Sequence, residues 1–77
     1  MRKAIKDCTY KEFMDSFELN KLDKFYMDIK RALDGAYKYA VGKITDEAVI
    51  NQIMEEAMKG ILASVDITYS LNQINVK

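Results

Sequence analysis

Enzyme chemistry needs groups that exchange protons near neutral pH, bind a metal or attack a carbon, and this chain holds few of them. Its 77 residues include one cysteine, Cys8, and no histidine, proline or tryptophan. Without a histidine to activate it, Cys8 reads as a small half-buried side chain rather than a nucleophile. A lone thiol also cannot form an internal disulfide, which fits a reducing compartment. Acidic neighbours occur twice, at Asp46-Glu47 and Glu55-Glu56. On a helix, adjacent side chains diverge by about 100° and do not converge on one ion or substrate. No ligand set for zinc is present, and Gly35, Gly42 and Gly60 stand too far apart to form a phosphate-binding loop. No catalytic, cofactor-binding or metal site is therefore expected.

Charge offers one binding candidate. Lys24, Arg31 and Lys38 recur every seven residues on one prospective helix edge, with Lys30 and Lys43 near them. Asp28 and Asp34 interrupt that patch, and the twelve basic residues are cancelled by twelve acidic ones. A neutral chain lacks the long-range attraction that drives nonspecific nucleic-acid binding, so a solvated face is the simpler reading. The charges are unevenly placed. Residues 1–45 hold ten basic and seven acidic side chains, whereas residues 46–66 hold one basic and five acidic. Attraction within the fold explains this most plainly, and an acidic face offered to a basic partner is the functional alternative.

These groups must be positioned by two long segments on either side of Gly42-Lys43-Ile44-Thr45-Asp46-Glu47. Before this break, Leu22, Phe25, Tyr26, Ile29, Ala32, Leu33, Ala36 and Ala40 fall on one helical stripe. After it, Ile50, Ile53, Met54, Ala57, Met58, Ile61, Leu62 and Val65 fall on another. Asn20 can cap the first of these helices, over about residues 21–41, with Gly42 as a left-handed residue just past its end. Thr45 can cap the second, with Ile44 spaced to staple onto Val49. Asp34 with Lys38 and Glu55 with Lys59 have the spacing and order of favourable ion pairs on a helix. Upstream, Thr9-Tyr10-Lys11-Glu12 has capping-box spacing and predicts a short helix from there to about Leu19-Asn20, burying Phe13, Met14 and Phe17.

The expected fold is all-α, a short N-terminal helix packed on a long antiparallel helical hairpin, as one domain over residues 1–77. The alternative is α+β. Residues 65–72 also alternate polar and apolar, so a strand there would fit, with residues 2–6 or a second subunit as its partner; a helix to about Leu71 is the preferred reading. No apolar run reaches the length of a membrane span and no signal-peptide core is present, so a soluble, cytoplasmic protein is expected.

Some apolar residues fit no single core. Met27 lies opposite the Phe25/Ile29 face, Tyr37 and Val41 flank it, and Ile67, Leu71 and Ile74 leave the main stripe of the last segment. In a chain this small, without disulfide or metal, such a surplus suggests burial against another chain. The preferred function is a non-enzymatic interaction or regulatory module, acting as a homodimer or on another protein through Met27, Ile67, Leu71 and Ile74. Small bacterial and phage genomes encode such chains, and the lysine, isoleucine and asparagine content is compatible with such a source. A nucleic-acid-associated regulator using Lys24, Arg31 and Lys38 comes second, and a small helical enzyme with carboxylate chemistry third. Far-UV circular dichroism is expected to be dominated by helix, and a strand-dominated spectrum would sink this architecture.

Overall fold

A computed structural model of the chain describes every residue except Asp66 and, at Ile67, the backbone alone. Strand β1 (Arg2–Ala4) runs through a 3-10 turn at Ile5–Asp7 into helices α1 (Tyr10–Asp15) and α2 (Phe17–Asn20). The hairpin follows as α3 (Lys24–Val41) and α4 (Glu47–Ser64). A one-turn helix α5 (Ile67–Leu71) and strand β2 (Gln73–Asn75) complete the order. The long antiparallel hairpin and short N-terminal helices are those expected, and a small two-stranded sheet of the chain termini joins them.

Helices α1, α3 and α4 each start where a side chain satisfies a first-turn backbone donor. Thr9 Oγ1 accepts from the Glu12 amide at 3.1 Å while Glu12 Oε1 accepts from the Thr9 amide at 3.1 Å, closing the predicted capping box. Another first-turn donor of α1, the Tyr10 amide, is taken by Glu55 Oε1 of α4 at 2.9 Å. The expected continuous helix to Asn20 is instead broken at Ser16, whose hydroxyl donates to the Glu12 carbonyl at 2.6 Å, a back-bond that bends helices.

The cap of α3 is Asp23, not Asn20, with Asp23 Oδ1 accepting from the Tyr26 amide at 3.0 Å. That later start leaves Leu22 in the preceding turn, 95% exposed, rather than in the core stripe. At the hinge, Asp46 replaces Thr45 as the cap of α4 and accepts from the Ala48 amide at 2.9 Å. The one-residue shift puts Ile50 at the staple position in place of Val49; Ile50 is buried and Val49 exposed. Gly42 is not left-handed, with φ −71° and ψ −15° continuing the right-handed turn. The anticipated ion pairs are also exchanged: Asp34 takes Lys30 at 2.9 Å, Lys59 takes Glu56 at 3.6 Å, and Glu55 is engaged by α1.

Tyr26, Ile29, Leu33 and Ala40 of α3 face Ile50, Met54 and Met58 of α4 across the core, and Phe13 closes it from α1. The Phe13 and Tyr26 rings stack with centroids 4.3 Å apart, and the Tyr26 hydroxyl donates to the Phe13 carbonyl. Two expected stripe members lie outside this core, since Ala32 is exposed and Ile53 is 37% exposed.

The helix expected to run to Leu71 stops at Ser64, where Val65 turns extended (ψ 165°), and resumes as α5. A strand does follow, later than residues 65–72. It pairs antiparallel with β1 in the register Arg2↔Asn75, Lys3↔Ile74, Ala4↔Gln73. The Ile5 amide donates to the Asn72 carbonyl at 2.8 Å and the Val76 amide to the Met1 carbonyl at 2.7 Å. Ile5, Cys8, Ile74 and Val76 thereby enter the core.

Buried Asn20 fixes this ladder to the helices. Its Nδ2 donates to the Asn75 carbonyl at 2.6 Å and the Ser16 carbonyl at 3.0 Å, while its Oδ1 accepts from the Asn75 amide at 2.8 Å. Removing these bonds leaves buried backbone groups without partners. Asn20→Ala is expected to cost about 1–3 kcal/mol in thermal unfolding, and to speed hydrogen exchange at the Asn75 amide more than within α4.

Candidate functional site

The hairpin has two flanks: α1 packs on one, and the other is bordered at its far end by Val65 and Tyr69. On the α1 side, Phe13 stacks on Tyr26 and Tyr10 bonds to Glu55. The opposite flank follows two helical stripes: Asp28, Ala32, Ala36 and Tyr39 on α3, continued by Lys43 just past its end, and Ile53, Ala57, Gly60, Ile61 and Ser64 on α4. Tyr39 is 69% exposed, and Ala32, Gly35, Ile53, Gly60 and Ser64 are also exposed. Two clefts open along this flank. One of about 270 Å³, lined by Ala36, Tyr39, Ala40, Lys43, Ile44 and Ile53, lies at the hinge end. The other, of about 490 Å³, is lined by Asp28, Ile29, Ala32, Ile61, Ser64, Val65 and Tyr69 at the far end, where Tyr69 meets the Phe25 ring edge-on with centroids 4.4 Å apart.

Lys43 Nζ stands 5.0 Å from the Tyr39 ring centroid, a cation over an aromatic face. Among the described residues no ion pair joins α3 to α4, so the uneven charge along the chain is not consumed by contacts across the hairpin.

The residues expected to form an interface do not gather on one surface. Ile74 is 1% exposed in β2, where pairing with β1 turns it into the core, whereas Leu71 is 51% exposed on α5. Met27 is half-buried and packs against the core. The side chain of Ile67 lies outside the described residues. Lys24, Arg31 and Lys38 are all exposed on α3. The sequence reading missed Tyr39, and it placed Ile53 in the core. The signal available was the alignment of Gly35 and Gly60 with the alanines beside these two residues, one glycine in each helix interior.

Perturbed acid–base groups lie elsewhere and are structurally engaged. The Lys3 ammonium, 2.7 Å from Glu12 Oε2, together with the Thr9 amide holds the Glu12 carboxyl below the usual carboxylate range, and Glu12 in turn raises Lys3. Burial pushes the Cys8 thiol up, with the charge of Glu12 adding to it, and its Sγ lies 3.5 Å from the Ala4 carbonyl oxygen. Burial likewise raises Tyr26, with Asp34 contributing. Among the described residues no three of histidine, cysteine, aspartate and glutamate are grouped to hold a metal, and no helix is long and apolar enough to cross a membrane. Comparison with known proteins finds no matching family model, no matching curated protein and no matching solved structure.

The Lys3–Glu12 bridge sets a pH dependence. Glu12 binds its proton more weakly in the folded than in the unfolded chain, so its contribution is complete above the ordinary carboxylate range and is lost as pH falls through the lowered folded value. Lys3, raised, keeps its contribution below the ordinary lysine range and loses it only as pH climbs through its raised value in strong alkali. The melting temperature of Glu12→Gln is therefore expected to fall less on acidification than that of the unaltered chain. Parallel acid limbs would show the bridge to be inert.

Proposed function

We propose that this chain is a non-enzymatic interaction module that acts by binding a protein partner on the more open flank of its α3/α4 hairpin. The observation that carries this reading is the pair of exposed side chains Tyr39 and Ile53, which line an apolar cleft on the side of the hairpin away from α1. Exposed tyrosine and branched aliphatic side chains gain most from desolvation, and contiguous apolar surface on a small domain marks a contact site. Alanines and glycines between them let another backbone come close.

A second reading rests on Lys24, Arg31 and Lys38, which are exposed at sevenfold spacing along α3 and form no ion pair among the described residues. A nucleic-acid-binding edge of that kind would retain the protein on DNA at low salt and release it steeply as salt rises. The protein-binding reading expects no such retention.

The direct test is a photo-crosslinking amino acid placed at Tyr39, with the same group at exposed Lys6 as control, in cells that produce the protein natively. Adducts to protein are expected from position 39 and not from position 6. Equal labelling at both, or none at either, would remove the reading.

A further inference from the structure

We infer that the occupant of the more open flank is a second copy of this chain, related by a two-fold axis that runs the two α3 helices antiparallel across one another near Gly35. This rests on the reading that the flank binds protein. The flank is uneven: exposed Tyr39 and Ile53 border a smaller cleft of about 270 Å³ near the hinge, while the larger cleft of about 490 Å³ opens beside Ala32 and Ser64 at the far end. An isologous interface repeats each contact twice, so reversing one copy on the other brings Tyr39 and Ile53 of each copy to the larger cleft of the other. A parallel arrangement would set these side chains against their own counterparts and leave the larger clefts facing each other.

Charge favours the same orientation. Asp28 on α3 borders the larger cleft and Lys43, just past the end of α3, borders the hinge end 15 residues on, and neither has an ion partner among the described residues. In the reversed pair, Lys43 of each copy comes to the Asp28 end of the other. The size is adequate as well. Each hairpin helix has 18 residues, hence about 27 Å of length, and two adjacent helices about 10 Å across present roughly 500 Å². Two copies bury about 1,000 Å², where specific interfaces begin.

The glycines supply an independent reason. Gly35 and Gly60 lie in helix interiors, where alanine would be more stable, and a Cβ added at either meets nothing within 4 Å. Gly35 lies between Ala32 and Ala36 of the two clefts, so a second backbone crossing there meets no long side chain.

Sedimentation equilibrium of the purified chain should give about twice the 8.9 kDa chain mass. Gly35→Leu should yield a folded monomer whose melting temperature, compared at concentrations where the unaltered chain is also monomeric, is no lower, since its side chain has open space within its own copy. Lys43→Asp should weaken association at least about tenfold, and Asp28→Lys in the same chain should restore it to within about threefold by exchanging the partners of the pair. A chain monomeric at hundreds of micromolar, a dimer indifferent to Gly35→Leu, or a double reversal as weak as the single one would overturn the inference. A monomer whose position 39 crosslinks to a different protein overturns the second copy as occupant and leaves the flank's binding role standing. A monomer with no crosslink at that position removes both.

Discussion

A two-stranded ladder three residues long cannot hold its own register in water, and the fold depends on how this one is held. β2 has β1 on one side, and on the other the carboxamide of Asn20, which donates to and accepts from the same residue, Asn75. That pairing copies what a neighbouring strand would supply, without a strand. Because Asn20 also bonds the Ser16 carbonyl, both chain termini are tied to the end of α2. Asn20 is unavailable to cap α3 for the same reason, and Asp23 takes that place.

From this anchor the core can be traced outwards. With the ladder fixed, Ile5, Ile74 and Val76 point inwards and extend a core that the hairpin alone would leave shallow. The Phe13–Tyr26 stack brings α1 against α3, and Glu55, by accepting from Tyr10, ties the same short helix to α4. A helix of six residues is marginal alone. Here its first turn is capped twice, by Thr9 and by Glu55, and its apolar face is buried.

Placing α1 on one side of the hairpin leaves the other side more open among the described residues, with Val65 and Tyr69 bordering its far cleft. The more open flank is thus a consequence of topology. Its composition is a separate matter: small residues in the middle, bulky apolar residues at the hinge, and opposite charges towards its two ends.

Features that depend on neighbours a few residues apart are legible in the residues alone. The 3.6-residue periodicity places Ile29 and Leu33 with Met54 and Met58 in the core, and the Thr9/Glu12 spacing marks the start of α1, because these patterns are set by local geometry. Where several polar residues compete for a cap, composition did not decide, as with Asn20 against Asp23 and Thr45 against Asp46. Residues 2–6 are an expected partner for a C-terminal strand, but the tertiary structure decided that the strand is 73–75 and set its register, since a three-residue strand at each terminus has too little pattern to declare itself. It also decided which apolar residues are surplus. Ile74 left the expected interface for the core once the ladder turned it inwards, and Ile53 left the expected core for the surface once α1 settled on the far flank; burial is a property of which elements meet, and periodicity fixes only which residues share a face.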